Sequence, residues 1–534
     1  MIRLTDLISR PWKNHLPESG RELPDFSAMG VYSLLERTAE LYAEQTAIIF
    51  EEERLTYRQF KNKVDRLASA LRSLGAHKGD RIGLMLPNHP LYIISYYAAL
   101  KLGMIVVQIN PMYTERELLE IFNDSKPGYL ILQEEDLTRL PKQYSFKWIF
   151  TDSLPDQNKS ANLLQIDKLI IDAEAVEAVS PINPSEDIAV IQYTGGTTGV
   201  KKGAMLTHSN LVANVVQSKL LYGDKMSFGE ETVLAVTPLY HVYGMTVAMN
   251  LGIYVGAKIL IVKKFEIENV LDVIKKFRPT FFPGVPKMYS AFVEYPEIEK
   301  FGLDCLKICS CGSAPLPVEI IKTFEDLTGA VISEGYGLSE TSPTTHRNPC
   351  HGVRKVGSIG IPVPGTDCRI IDEEGNDLPV NAIGELLIKG PQVMLGYWGK
   401  EPETADAIKN GWFYTGDLAV MDEDGYFYIA GRKKEMIIVG GFNVYPQEIE
   451  SVLYEYPDIQ EAAVVGIPDR QAGEIVKAFI VPKTGRTIDL ELLKEHCYRQ
   501  LTRYKVPKQF QVKESLPRNS VGKLLKRLLV AESE

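Results

Sequence analysis

The twelve residues Gln192-Tyr193-Thr194-Gly195-Gly196-Thr197-Thr198-Gly199-Val200-Lys201-Lys202-Gly203 concentrate glycines, hydroxyls and two lysines. Glycines permit close backbone approach, threonine hydroxyls and main-chain N–H groups donate hydrogen bonds, and a lysine supplies a point positive charge. That combination suits a polyphosphate. A Walker A loop needs Gly-Lys followed by Ser or Thr, whereas Lys202 is followed by Gly203, and no G-x-G-x-x-G occurs here. Both common nucleotide motifs therefore fail. A second stretch with chemical promise, Thr232 to Ala257, contains no Lys, Arg, Asp or Glu and surrounds His241 with apolar residues. Such a segment is a good lining for an apolar pocket.

The elements that must position these residues can be read from periodicity. Ile188 to Tyr193 is an apolar run that predicts a buried strand, and Ala204-Met205-Leu206 a second short one. Thr207-His208-Ser209-Asn210 offers N-caps for a helix through Leu211 to Val216. Upstream, Ala47 to Phe50, Arg81 to Leu86, Ile105 to Val107 and Tyr129 to Leu132 read as strands, and Val64, Leu67, Ala70, Leu71 and Leu74 mark an amphipathic helix. Lys258 to Val262 is a further strand. The segment Thr232 to Ala257 is long enough to span a bilayer, but Pro238, Gly244, Asn250 and Gly252 interrupt it, so a buried strand–loop–helix is expected. From about Val356 short strands with Gly/Asp/Asn turns suggest a β-rich subdomain, and after Arg432 the pattern becomes α+β. The expected fold is α/β, a large N-terminal domain of wound α/β subdomains plus the β-rich one, then a small α+β C-terminal domain. The boundary falls near Gly431–Lys434, giving domains 1–431 and 432–534.

With 534 residues, 45% hydrophobic and 24% charged, the chain has an ordinary globular composition and exceeds one core, so two or more domains are expected. A net charge of −10 argues against a general nucleic-acid binder. Six irregularly spaced cysteines, with no C-x-x-C pair, read as reduced thiols in a cytoplasmic protein. Met1 to Leu7 has an early acid and no apolar h-region, so no secretory signal is expected.

Five motifs in order carry a resemblance. They are Tyr193 to Gly199 with Lys202-Gly203; Gly335-Tyr336-Gly337-Leu338-Ser339-Glu340-Thr341; Tyr414-Thr415-Gly416-Asp417; Gly431-Arg432-Lys433-Lys434-Glu435-Met436-Ile437; and Pro517-Arg518-Asn519-Ser520-Val521-Gly522-Lys523. In these the chain resembles the adenylate-forming superfamily of acyl-CoA synthetases, luciferases and adenylation domains, from about residue 30 to the C-terminus. Gly195-Gly196, Tyr240-His241 and the lead containing Trp12 make it most similar to bacterial long-chain fatty acid–CoA ligases.

The resemblance implies ATP, Mg²⁺ and coenzyme A, with a medium- or long-chain fatty acid activated first to acyl-AMP and then to acyl-CoA. The first loop would hold the β- and γ-phosphates, with Thr194 helping to hold Mg²⁺ beside Glu340 and Lys202 supplying charge. Gly195 stands where many relatives have Ser, and Lys201 where most have Pro. Gly312-Ser313-Ala314 and Glu334-Gly335-Tyr336-Gly337, with Ser339, resemble the segments around adenine. Asp417 would accept both ribose hydroxyls and Arg432 would support the same end. Lys523, on a mobile C-terminal domain, would carry adenylation, and Lys434 would be the hinge. Gly440 and Gly441 would line the pantetheine tunnel, and His241 would stand at the acyl-pocket entrance with Val242, Tyr243, Met245, Val247 and Met249 as an apolar wall. An aryl- or coumarate-type CoA ligase is the alternative within the same fold. The basic tail Lys523 to Leu529 reads either as a solvated end or as an amphipathic helix for peripheral contact with the inner membrane face. A homodimer is implied by the resemblance alone.

Overall fold

Runs of Val, Ile and Leu bounded by Gly, Asp and Asn become strands, and segments with apolar residues three and four apart become the helices between them. The computed structural model describes residues 10–20, 22–154, 161–176, 178–194, 201–469, 472–518 and 523–533. The chain packs as two units, Met1–Asp367 with Ile388–Phe413, and Cys368–Leu387 with Tyr414–Glu534.

In the first unit the described residues form two large sheets. The eight-stranded sheet runs in the order Gly396–Tyr397, Lys202–Thr207, Ile188–Thr194, Ile105–Gln108, Arg81–Met85, Tyr129–Leu132, Trp148–Thr151, Leu163–Gln165. Its centre is parallel and fully buried, as the unbroken apolar runs require. The nine-stranded sheet has Phe281–Gly284, Ile308–Cys311 and Val331–Gly337 parallel, followed by Thr344–Arg347 antiparallel. Helix Tyr57–Ser73 begins at a capping box of Thr56 with Gln59, and helix His208–Tyr222 at one of Thr207 with Asn210. The uncharged segment folds as a strand, Thr232–Ala235, a loop, a π-helical turn, Gly244–Asn250, and a short α-helix, Leu251–Tyr254. No helix among the described residues is long and apolar enough to cross a membrane.

The strand Trp412–Met421, which lies in the second unit from Tyr414 onward, pairs antiparallel with Phe427–Arg432, setting Asp417 opposite Arg432. Beyond it, Ile437–Val439, Phe442–Val444, Ile459–Asp469, Gly473–Pro482 and Gln509–Val512 form a sheet whose core includes Val464, Val476, Ile480, Leu493 and Cys497. The expected tail helix starts later than its leucine pattern suggests, at Lys526–Ala531. Lys526 spends its charge on Glu450 at 2.7 Å and Glu435 at 3.6 Å.

Candidate active site

The strand Ile188–Thr194 delivers Thr194 to its end, directly opposite Lys202 on the antiparallel strand Lys202–Thr207. The loop residues Gly195, Gly196, Thr197, Thr198 and Gly199 lie outside the described residues. The two lysines that follow are in different circumstances. Lys201 Nζ is 3.1 Å from Glu117 Oε1 and 3.9 Å from the centre of the Tyr113 ring, so its charge is already answered. Lys202 Nζ lies 4.9 Å from the centre of the Tyr397 ring and makes no ion pair among the described residues.

Tyr397 is the residue that sequence reasoning missed. The two-residue strand Gly396–Tyr397 pairs with Lys202–Thr207, setting Tyr397 opposite Ala204. Its hydroxyl donates to Glu340 Oε1 at 2.9 Å. Burial and the neighbouring Glu340 charge push the Tyr397 phenol far above its ordinary range, so it stays a donor. Glu340 itself is fixed by a short turn, Ser339–Thr341, and by Met394 N–H donating to its carbonyl at 2.8 Å. Lys202, Tyr397 and Glu340 thus form one group, drawn from three distant parts of the chain.

The strand Val331–Gly337 presents the second cluster. A β-carbon at Gly335 would sit 2.9 Å from the His346 carbonyl, and one at Gly337 would collide with the Pro343 carbonyl, so the close pairing with Thr344–Arg347 demands both glycines. The Tyr336 ring packs edge-on to His346 at 6.0 Å. Gly312 begins the turn after Ile308–Cys311, Ser313 has a left-handed backbone with φ 74°, and Ala314 follows. A β-carbon at Gly312 would lie 3.7 Å from the Tyr243 ring and 3.8 Å from the Gly335 carbonyl, which brings these segments together.

Burial raises the Glu334 carboxyl to about 7, against lowering contributions from the Gly357 and Leu316 N–H groups and the Arg354 charge. The folded chain therefore holds this proton more tightly than the unfolded chain does. That advantage is complete below about 4.5 and is lost as pH rises through about 7. Relative to Glu334→Gln, the wild type is expected to lose roughly 3 kcal/mol of stability over that window, checked by denaturant unfolding from pH 4 to 8. Parallel curves for the two proteins would refute it.

His241 follows Pro238, whose carbonyl accepts its N–H at 3.1 Å, and its Nδ1 accepts the Tyr243 N–H at 3.2 Å. Gly244 is obligatory, because a β-carbon there would collide with the Pro238 carbonyl. Val242, Tyr243, Met245, Val247 and Met249 are all buried.

In the second unit Asp417 is buried and Arg432 Nε lies 3.3 Å from its Oδ1. Lys434 is exposed in the turn Lys433–Glu435. Gly440 and Gly441, with φ 58° and 85°, make the two-residue turn between Ile437–Val439 and Phe442–Val444, a geometry that glycine adopts without strain. Lys523 is exposed, next to a bridge between Arg518 and Leu524.

A family model described as "AMP-binding enzyme" matches residues 35–398, and one described as "AMP-binding enzyme C-terminal domain" matches 448–523. The chain belongs to the AMP-binding enzyme family. Within that family it is 41% identical to the long-chain-fatty-acid–CoA ligase of Bacillus subtilis (strain 168) over 98% of both chains. It is 37% identical to the ligase of the same name from Salmonella typhimurium, over 98% of this chain and 99% of that protein. Among solved structures, an anthranilate CoA ligase in complex with anthranoyl-AMP superposes with a TM-score of 0.86 at 27% identity, covering 96% of this chain and 98% of that one.

Proposed function

We propose that this AMP-binding enzyme is an ATP-dependent fatty acid–CoA ligase acting on medium- or long-chain acids. The observation that carries the reading is the grouping of Lys202, Tyr397 and Glu340 beside Thr194, a cation and a carboxylate at the mouth of a Gly/Thr loop. In the first half-reaction a fatty carboxylate oxygen attacks the α-phosphorus of ATP and pyrophosphate leaves. In the second, the coenzyme A thiol attacks the acyl carbon, AMP leaves and the thiol proton is lost. Both reactants of the first step are anions, so the protein's work is to neutralise, align and stabilise developing charge.

The loop 195–199 and Lys202 bind the β- and γ-phosphates. Glu340 suits Mg²⁺, since one oxygen is occupied by Tyr397 while the other has no partner among the described residues, and Mg²⁺ needs only one or two carboxylates when phosphates complete its shell. Thr194 joins it there. When bound, the ion screens the phosphate charge. Gly312-Ser313-Ala314 and Glu334 to Gly337, with Ser339, take the adenine, Asp417 and Arg432 the ribose. The mobile body is 432–534, turning at Lys434, so that Lys523 serves adenylation and Gly440 and Gly441 serve the pantetheine arm. His241 guards the acyl entrance, and the lack of any Lys, Arg, Asp or Glu between Thr232 and Ala257 favours a hydrocarbon chain. The aryl-acid alternative has less behind it, 34% identity to a feruloyl-CoA synthase and 27% to the anthranilate ligase against 41% to the fatty-acid ligase. Six free thiols accord with the cytoplasm. A homodimer and a peripheral contact of the tail with the inner membrane face belong to the same reading.

Pyrophosphate release measured across fatty acids of increasing length, with and without coenzyme A, tests the proposal. A fatty-acid-dependent burst, with AMP release following only when the thiol is added, is expected; turnover of ferulate or anthranilate with no fatty acid used would overturn it. The two lysines give a finer check. Lys202→Ala should raise the KM for ATP about tenfold or more, as for a lost charge-assisted hydrogen bond. Lys201→Pro should leave that KM nearly unchanged, because Lys201 is engaged by Glu117. The reverse result would shift the phosphate assignments by one residue.

A further inference from the structure

Tyr397 touches two opposite charges at once. Its hydroxyl donates to Glu340 Oε1 at 2.9 Å, and Lys202 Nζ stands over its ring, 4.9 Å from the centre. The two charged groups, both within reach of this one side chain, form no ion pair with each other.

Tyr397 is only 7% exposed, and its backbone is held on both flanks. Leu395 N–H donates to the Met205 carbonyl at 2.9 Å and Trp398 N–H to the Gly203 carbonyl at 2.8 Å, which stitches the segment to the strand Lys202–Thr207. Its own N–H donates to Thr404 Oγ1 at 2.9 Å, an approach that needs Gly396, where a β-carbon would lie 2.6 Å from Thr404 Cγ2. Met394 N–H, on the Glu340 carbonyl at 2.8 Å, ties the same segment to the turn Ser339–Thr341. The segment 394–398 therefore sets the distance between the strand that bears Lys202 and the turn that bears Glu340.

An ammonium on a flexible stem and a carboxylate at the same mouth attract one another. Once paired they are neutral as a unit, and the pull on an incoming anion is lost. Tyr397 prevents this. The negative face of its ring holds the ammonium, and its hydroxyl occupies one carboxylate oxygen without neutralising the charge. An apolar side chain of similar volume would fill the same space and hold neither group.

We infer that Tyr397 is a positioning residue that keeps Lys202 and Glu340 apart, ring face to one and hydroxyl to the other, so that both charges stay available to a polyphosphate. The inference rests on the phosphate role proposed for Lys202.

The test is a double-mutant cycle read by calorimetric ATP binding to the full-length enzyme in EDTA, where no metal contributes. Wild type, Tyr397→Leu, Glu340→Gln and the double variant are compared. Tyr397→Leu should weaken ATP binding about three- to tenfold, because Lys202 turns to Glu340. Glu340→Gln removes that rival as well as a repelling charge, so it should raise affinity more in the Tyr397→Leu background than in wild type, and the double variant should bind like Glu340→Gln alone. A residue that merely braces the fold would cost the same affinity in both backgrounds, so an additive cycle overturns the inference. Unchanged ATP affinity in Tyr397→Leu overturns it too. If Tyr397→Leu does not fold, Tyr397→Phe, which keeps the ring and loses only the hydroxyl, carries the same cycle with a smaller loss expected. Lys202→Ala decides which idea has failed. If it leaves ATP binding unchanged, the phosphate role falls and the inference with it; if it weakens binding while the cycle is additive, the inference alone falls.

Discussion

Lys523→Ala is expected to slow acyl-adenylate formation by roughly a hundred- to a thousandfold, about 3–4 kcal/mol, the cost of deleting one preorganised donor from a charged transition state. Thioester formation from supplied acyl-adenylate should survive. The ammonium is exposed, beside the bridge of Arg518 with Leu524 and a hydrogen bond from Leu525 N–H to the Pro517 carbonyl at 2.8 Å, so the change leaves no hole in a core. Single-turnover measurement of each half-reaction separates the outcomes. Equal loss in both would remove the idea that the C-terminal domain presents this lysine to one step only.

The second large effect lies far from any substrate. Asp65 is 4% exposed and accepts from Lys101 Nζ at 2.6 Å, Lys61 Nζ at 2.7 Å and the Tyr32 hydroxyl at 3.0 Å. Among the described residues Lys101, itself 1% exposed, otherwise donates only to the Val176 carbonyl, at 2.6 Å. Asp65→Ala strands a buried ammonium and should cost about 3–5 kcal/mol in denaturant unfolding. Pairing it with Lys101→Met should recover most of that loss, because the cost belongs to the uncompensated charge. A single variant within 1 kcal/mol of wild type would show that water already reaches the cluster.

Much of the path from sequence to site was legible because it is local. The strand at Ile188–Thr194, the short strand after the loop and the cap at Thr207 with Asn210 are all set within a few residues of one another. The glycines at 335 and 337 could be seen, although the reason for them, a neighbouring strand pressed close, could not. What stayed hidden depends on separation along the chain. Lys201 stands in the sequence only as a lysine where most relatives have Pro; its partner Glu117 is 84 residues away. Tyr397 comes to Glu340 through a strand of two residues, too short to leave a periodic signal.

The two large sheets of the first unit divide the residues of interest between them. Thr194 and Lys202 stand on the eight-stranded sheet, while Gly335 and Gly337 stand on the nine-stranded one. A lineage could therefore change its fuel by drifting through the connections of the second sheet while the strand pair that flanks the Gly/Thr loop, Ile188–Thr194 with Lys202–Thr207, is inherited intact. A protein engineer has the same seam to cut along: transplanting 232–337 moves the acyl wall and leaves the pairing of Tyr397 with Ala204 in place.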